Sequence, residues 1–131
     1  MNLVIDTNIL VSALWSPSGI PAQIVESIFS GKHRAVVTDS ILQEYHDVLH
    51  RPKFSSRFSE KSVSYFCDFF RYNAVYIPDV PSLKIPFVDE DDRIFFELAS
   101  HLHCFLITGN LKHYPDSPLV VTASDFCRDY L

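Results

Sequence analysis

Five short apolar runs alternate with longer segments of helical periodicity, and this alternation constrains the fold of the chain more than any other feature. The runs cover residues 3–5, 35–37, 74–77, 104–107 and 119–121. Strands that alternate with helices form a parallel sheet through right-handed crossovers, so helices cover both faces of the sheet. The sequence therefore predicts an α/β fold, a three-layer α/β/α sandwich around a central, mostly parallel sheet of about five strands.

The segments between these runs predict the helices and their ends. Apolar spacing predicts one helix from Ile9 toward Leu14, and a second from Pro21 to Phe29 that ends at Gly31. Further helices are predicted over residues 39–50, 63–73 and 94–102, and a last one begins after a cap at Thr122 or Ser124. The proline-containing stretch 79–87 is expected to be an ordered loop.

Length and composition set the class of protein. The chain has 131 residues, of which 47% are hydrophobic, so residues 1–131 are expected to form a single domain with a substantial core. Cys67, Cys104 and Cys127 have neither disulfide-like nor zinc-like spacing, which favours buried free thiols. The chain has no run of membrane-spanning length and no signal peptide, so we expect a cytoplasmic protein without a membrane partner.

The net charge of −5 argues against a broadly basic surface that coats nucleic acid. A local basic rim around an acidic, metal-loaded centre is still compatible with that charge. The basic residues considered as contacts to a nucleic-acid backbone are Arg51, Lys53, Lys112 and His113. For each of them, ordinary solvated surface is at least as good an explanation.

Asp6 follows the first apolar run directly, at the point where the predicted central strand ends. Ligands collect at the carboxyl ends of strands in open α/β sheets, so Asp6 is expected to lie on the floor of a crevice there. Asp, Thr and Asn are also good helix caps, and the segment Asp6, Thr7, Asn8 precedes a predicted helix. From these residues alone, capping and chemistry are equally good explanations of Asp6.

A second acidic signal is the run from Asp89 to Asp92, which enters the helix predicted over residues 94–102. The helix dipole explains one or two acids at a helix start. Four successive acids repel one another, and are easier to explain if some of them bind a cation. Metal binding is therefore favoured over a solvated helix start.

Two further polar positions complete the predicted site. Glu44 lies at the edge of the core stripe formed by Ile41, Tyr45 and Val48, where it needs a partner or a cation unless it is simply exposed. Asn110 follows the apolar run 104–107 at another strand end. Oxygen ligands without His or Cys suit Mg²⁺ or Mn²⁺, and such a site is suited to hydrolysis of a phosphodiester.

Four sequence motifs carry a family resemblance, and they occur in the family's order across nearly the whole chain. They are residues 4–10 (VIDTNIL), 40–45 (SILQEY), 89–95 (DEDDRIF) and 106–110 (LITGN). The chain resembles PIN-domain ribonucleases, and within them the VapC-like toxins of type II toxin–antitoxin pairs. The resemblance implies a metal-dependent endoribonuclease that cleaves single-stranded RNA, forms a homodimer and is silenced by a cognate antitoxin.

The resemblance also implies roles for particular residues. Asp6, Glu44 and Asp92 are the implied catalytic acids and metal ligands for one or two Mg²⁺ or Mn²⁺ ions, with Asp89 as a second choice beside Asp92. The residues implied to orient water or ligands are Thr7, Asn8, Thr108 and Asn110. The family commonly has an Asp where this chain has Asn110, and an amide brings no negative charge. The alternative function is therefore a PIN-like metal- or RNA-binding module with weak or no catalysis.

Overall fold

The computed structural model describes all 131 residues and contains one five-stranded sheet. The strands are β1 (Asn2–Ile5), β2 (Arg34–Val37), β3 (Val75–Tyr76), β4 (Phe105–Thr108) and β5 (Val120–Thr122). They lie in the order β3-β2-β1-β4-β5, and every neighbouring pair is parallel. The predicted α/β fold is confirmed, and β1 is its central strand.

Six helices connect the strands: α1 (Thr7–Trp15), α2 (Ile20–Phe29), α3 (Asp39–Leu49), α4 (Glu60–Asn73), α5 (Arg93–Leu102) and α6 (Ala123–Tyr130). Single 3₁₀ turns lie at Pro52–Phe54, Glu90–Asp92 and Leu111–His113. The helix α1 begins two residues before its apolar pattern, because the Ile9 amide already donates to the Asp6 carbonyl at 3.0 Å. No helix combines the length and the apolar character needed to cross a membrane.

The third strand is shorter than the predicted span 74–77. β3 is an edge strand that pairs only with β2, and Pro78 has no N–H with which to extend the ladder. The fourth strand, in contrast, extends one residue beyond the predicted run and includes Thr108, which is fully buried. A polar side chain at the end of the apolar run is therefore part of the strand.

The core forms around β1, whose residues Leu3, Val4 and Ile5 have no exposed surface. They belong to one cluster of 29 buried apolar residues. Burying a side chain of this size contributes roughly 1.5–3 kcal/mol, so β1 fixes the position of whatever follows it. The cysteines are free thiols as expected, although all three are only partly buried.

The loop between β3 and α5 is ordered by two side chains of α5. Arg93 donates to the Leu83 carbonyl at 2.5 Å and to the Ile85 carbonyl at 2.7 Å. Glu97 accepts from the Leu83 amide at 2.7 Å. Paired in this way, the loop leads into the acidic run that precedes α5.

Candidate active site

The ends of β1 and β4 lie side by side at the carboxyl edge of the sheet. Ile5 is in register with Ile107, and the Asp6 amide donates to the Ile107 carbonyl at 3.0 Å. This register brings the Asp6 carboxylate next to Thr108, although the two residues are 102 positions apart in the chain. Asp6 is only 4% exposed, so its charge lies at the floor of the site.

Three side chains donate to a single oxygen of Asp6. Oδ2 accepts from the Thr108 hydroxyl at 2.7 Å, from the Tyr114 hydroxyl at 2.9 Å and from the Asn8 amide at 3.2 Å. Oδ1 accepts no hydrogen bond from the protein. Asp6 occupies the N-cap position of α1, but its side chain makes no capping hydrogen bond. The side chain of Asp6 therefore does not fulfil the capping role that the sequence left open.

Asn8 links the two strand ends. Its Oδ1 accepts from the Gly109 amide at 3.0 Å, while its Nδ2 donates to Asp6 and approaches Thr108 Oγ1 at 3.5 Å. A Cβ at position 109 would lie 3.4 Å from Asn8 Oδ1, which is an ordinary van der Waals contact. The neighbouring Thr7 hydroxyl is buried and has no hydrogen-bond partner.

Asp92 faces the same region from the start of α5. Its side chain is 14% exposed, and its only side-chain partner is His113, whose Nδ1 lies 3.2 Å from Oδ2. Burial is the largest of the effects that raise the pKa of Asp92 to about 6; the charges of Asp6 and Asp89 also raise it, and His113 lowers it. Asp92 is therefore a carboxylate with too little positive charge around it.

Glu44 reaches the site from the middle of α3, which begins at a cap where the Thr38 hydroxyl accepts from the Ile41 amide. Glu44 is half-buried, and this burial raises its pKa. The charge of Asp91 raises that pKa further, whereas Arg51 lowers it and Asp6 adds a smaller increase. Glu44 thus lies within the electric field of the acidic run and of β1.

Asp89 and Asn110 lie at the margin of this group. Both are exposed, and the Asp89 carboxylate accepts from the Asp91 amide at 3.0 Å, so Asp89 caps the 3₁₀ turn that leads to Asp92. The Asn110 amide donates to Thr108 Oγ1 at 3.0 Å, but the Asn110 side chain makes no hydrogen bond. In the conformation described, no three His, Cys, Asp or Glu side chains converge closely enough to hold a metal ion.

Sequence reasoning missed two tyrosines that organise this site. Tyr114 is buried, and burial together with the charge of Asp6 raises its pKa far above the usual value, so it stays a neutral donor. Tyr45 donates to the Ile5 carbonyl at 2.6 Å, which fixes the last residue of β1 before Asp6. The apolar spacing identified Tyr45 only as a core residue, and no pattern singled out Tyr114.

Comparison with known proteins identifies the family. Residues 2–112 match the family described as PIN domain. The chain belongs to the PIN-domain family. This PIN domain is similar to an uncharacterized protein, MJ1680, of Methanocaldococcus jannaschii, with 32% identity over 111 residues that make up 84% of this chain and 71% of that protein.

A solved structure supports the same architecture. The PIN domain is similar to a chain in the crystal structure of VapBC2 from Rickettsia felis bound to a DNA fragment from their promoter. The TM-score is 0.60 at 16% identity, and the match covers 93% of this chain and 97% of that chain. The family and the α/β/α fold expected from the sequence are both confirmed.

The donor set of this PIN domain fits a hard divalent cation. All candidate ligands are oxygens, Asp6 Oδ1 is free, and burial, with neighbouring carboxylates, raises the pKa values of Asp92 and Glu44. Binding would require the three carboxylates to draw closer together than they lie here. Repulsion among carboxylates is a sufficient reason for their separation, and a divalent charge would reverse it.

Proposed function

We propose that this chain is a Mg²⁺- or Mn²⁺-dependent endoribonuclease that hydrolyses single-stranded RNA, with residues 1–131 acting as one PIN-like nuclease domain. The observation that carries the proposal is the Asp6 carboxylate. Three donors fix its Oδ2, its Oδ1 is free, and it lies close enough to Asp92 to raise the pKa of that side chain. A purely structural role of Asp6 does not explain why Asp92, with its raised pKa, lies nearby.

Asp6, Glu44 and Asp92 would hold the ion, with Asp89 as a further ligand next to Asp92. A divalent ion held there would supply the chemistry of lowering the pKa of a water molecule and stabilising negative charge on a phosphate. Thr108, Tyr114 and Asn8 keep Oδ1 of Asp6 directed into the site, because all of them donate to the opposite oxygen. Thr7 and Asn110 are proposed to orient water or ligand, since the buried Thr7 hydroxyl has no partner and Asn110 offers a free amide.

We further propose that the protein is the toxin of a toxin–antitoxin pair, acts as a homodimer and binds a cognate antitoxin. The likeness in fold to a chain of the VapBC2 complex supports an antitoxin partner. The RNA substrate follows from the family resemblance of the four motifs and from the chemistry of the acidic site. The expected cytoplasmic location stays a prediction.

A second candidate function is a PIN-like module that binds metal or RNA with little or no catalysis. Two observations favour it: Asn110 stands where the family commonly has an acid, and the carboxylates do not converge in the conformation described. Both observations concern the strength of metal binding. The nuclease and the non-catalytic module differ in whether a bound ion activates water.

The experiment that tests the proposal is cleavage of a mixed pool of single-stranded RNA by the purified chain. Reactions contain Mg²⁺, Mn²⁺ or a chelator, and the variant Asp6→Asn is compared with the matched control Asp68→Asn, which makes the same change on the exposed face of α4. We expect cleavage only with a divalent ion, and a loss on the order of 100-fold in Asp6→Asn. Asp68→Asn should cleave like the wild type.

Other outcomes would contradict the nuclease proposal in distinct ways. Cleavage that persists in chelator, or in Asp6→Asn, would indicate a different activity or a contaminant. A folded wild type that binds Mn²⁺ but cleaves nothing would instead establish the non-catalytic module.

A further inference from the structure

The connection between α3 and α4 carries a concentration of positive charge that the acidic site does not use. Arg51, Lys53, Arg57 and Lys61 are four of the 11 lysines and arginines in the chain. All four are exposed, and Glu60 is the single acid between residues 51 and 61. In a chain of net charge −5, this segment is a local basic surface.

None of these four cations takes part in an ion pair. Elsewhere in the molecule, Arg93 pairs with Glu90 at 2.6 Å and Arg128 pairs with Asp129 at 3.0 Å. Side chains that neutralise acids on their own surface are not free for a phosphate. The four charges are therefore not neutralised by acids of the chain, as is also true of Lys32, Arg34, Arg71, Lys84 and Lys112.

Aromatic rings alternate with the cations on this surface. The Arg57 guanidinium lies over the Trp15 ring at 4.2 Å from its centroid, and the Lys53 ammonium lies 5.1 Å from the centroid of Phe54. Phe58 stacks on Phe54 at 4.8 Å and meets Trp15 edge to face at 6.1 Å. Phe54 and Phe58 are buried, but Trp15 is 47% exposed, so an indole surface is available to a ligand.

We call Trp15, Arg51, Lys53, Arg57 and Lys61 the basic-aromatic ledge. A cleft of about 350 Å³ lies beside it, lined by His50, Arg51, Phe54 and Phe58 among others. Small-molecule sites have volumes of roughly 300–1,000 Å³, so the cleft can take a group of the size of a nucleotide.

The ledge begins beyond the end of α3, the helix that carries Glu44. Arg51 follows Glu44 by seven residues, which is about 10 Å along a helix, and its charge still acts on that carboxylate. A single strand bound on the ledge would have to continue along α3 over this distance to bring a phosphate to the carboxylates.

We propose that the basic-aromatic ledge is the surface that holds single-stranded RNA beside the acidic site, with Trp15 as a base-stacking platform and Arg51 and Lys53 as phosphate contacts. This inference rests on the proposed nuclease function and adds the position and the chemistry of substrate binding. Arg57 stacks on Trp15 and contributes a second flat, charged surface for a base.

The exposed Trp15 ring favours RNA over an acidic protein as the partner. An acidic protein segment needs only cations, whereas single-stranded nucleic acid is bound by a combination of cations that contact phosphates and aromatic faces that stack on bases. Unpaired bases are required for such stacking, which favours a single strand over a duplex.

Trp15 allows a direct measurement, because it is the only tryptophan in the chain. The full-length protein is titrated in chelator with a fluorescently labelled single-stranded RNA of mixed sequence, so that binding is observed without cleavage. Anisotropy of the label gives the Kd, and Trp15 emission in a parallel titration with unlabelled RNA reports contact at the ledge. We expect saturable quenching of Trp15 with the same Kd.

Variants separate stacking from packing and from net charge. Trp15→Ala and Trp15→Leu should both weaken binding about tenfold, because Leu restores apolar volume without an aromatic face, while Trp15→Phe should retain most of the affinity. Lys53→Gln should weaken binding and reduce the slope of log K against log salt by about 0.7. The matched control is Arg71→Gln, which removes the same charge ten residues beyond Lys61 on α4, about 15 Å along the helix.

Three other results would each contradict the proposal that the ledge binds single-stranded RNA. RNA that binds by anisotropy without quenching Trp15 lies elsewhere, and a Trp15→Leu variant that binds like wild type makes Trp15 a packing residue. Equal quenching by polyglutamate would assign the surface to an acidic protein. Metal-dependent cleavage together with any of these results would contradict RNA binding at the ledge but not the nuclease function. Quenching of Trp15 by RNA without cleavage would contradict the nuclease function but not RNA binding at the ledge.

Discussion

The two ends of the acidic site present the same chemical group in opposite environments. At the end of β1, the Asp6 carboxylate is buried and receives three hydrogen bonds on one oxygen. At the start of α5, the Asp92 carboxylate is also largely buried, but His113 is its only side-chain partner. Burial and the charge of Asp6 raise the pKa of Asp92 to about 6.

This difference indicates how the site is built. The β1 end is already organised by the protein, since its donors hold Asp6 in one orientation whether or not a cation is bound. At the α5 end, Asp92 is buried near the negative charge of Asp6, and His113 offsets only part of the resulting rise in its pKa. A divalent cation would offset this negative charge, so the two ends should respond oppositely to mutation and to metal.

The largest expected effect is a difference in stability between a variant at the β1 end and a variant at the α5 end. Asp6→Ala leaves the buried Thr108 and Tyr114 hydroxyls without their acceptor, and should lower the free energy of unfolding by about 2–4 kcal/mol. Asp92→Ala removes a repelling charge, and should cost far less or stabilise the metal-free protein. Urea unfolding in chelator at neutral pH measures both.

The matched control is Asp6→Asn, which keeps an acceptor oxygen in place of the charge. It should lose less stability than Asp6→Ala while still losing activity. Equal losses in Asp6→Ala and Asp92→Ala would remove the contrast between the two ends.

A smaller effect is expected when one donor to Asp6 is removed. Tyr114→Phe deletes the 2.9 Å hydrogen bond to Oδ2 and keeps the ring that fills the core. Residues that orient a metal ligand typically change metal affinity or activity by about 10- to 100-fold, and we expect a change in that range. Calorimetric titration with Mn²⁺ and the cleavage rate measure it.

Tyr45→Phe is the matched control for Tyr114→Phe, because its hydroxyl donates to the Ile5 carbonyl and not to a carboxylate. It should lower stability without an equal loss of Mn²⁺ affinity. The same loss of affinity in both variants would show that the hydroxyl of Tyr114 acts through folding alone.

The α5 end can be tested by pH. The pKa of Asp92 in the folded protein, about 6, lies above the usual value of 3.8 for an aspartate, so folding is favoured by protonation of Asp92. That contribution is fully present below pH 4 and is lost as the pH rises through 6. Asp92→Asn should therefore stabilise the metal-free protein at pH 7.5 by about 1–2 kcal/mol and leave it unchanged at pH 4.

Addition of Mn²⁺ should reverse the order of the two proteins. With the ion present at pH 7.5, the wild type should gain more in melting temperature than Asp92→Asn, because only the wild type offers the second charged ligand. An equal gain in both proteins would exclude Asp92 as a ligand.

The fold and the acids were predictable for a physical reason. Period and composition indicate strands and helices, and parallel strands bring their carboxyl ends to one edge, so Asp6 and Asn110 were expected at the same edge of the sheet. The acidic run was equally visible, since repulsion between neighbouring carboxylates in a sequence is apparent without coordinates.

The partners of the acids were not predictable. Tyr114 lies 108 residues from Asp6 and follows a 3₁₀ turn whose geometry no periodicity encodes. Strand β3 was predicted too long, because its length depends on its position at the edge of the sheet, and that position is set by the whole sheet. Sequence patterns report what a residue needs, such as a counter-charge, and tertiary structure decides which side chain supplies it.

The smallest expected effect concerns Asn110, where an added carboxylate would give the β1 end of the site a further charged ligand. Asn110 is exposed, and its backbone amide donates to Thr108 Oγ1, so Asn110→Asp adds a charge beside the organised end without breaking a side-chain contact. We expect Mn²⁺ to bind about 3- to 10-fold more tightly, because ligand charge strengthens cation binding. The metal-free protein should lose about 0.5 kcal/mol of stability through added repulsion.

Asn2→Asp makes the same change at the start of β1, at the opposite edge of the sheet, and should alter neither quantity. If Asn110→Asp also increases the cleavage rate in Mn²⁺, the missing acid limits catalysis in the wild type. Unchanged affinity and unchanged rate would mean that position 110 does not reach the ion. In that case Asp6, Glu44 and Asp92 are the whole charged ligand set, and the uncompensated charge at the start of α5 is what draws the cation in.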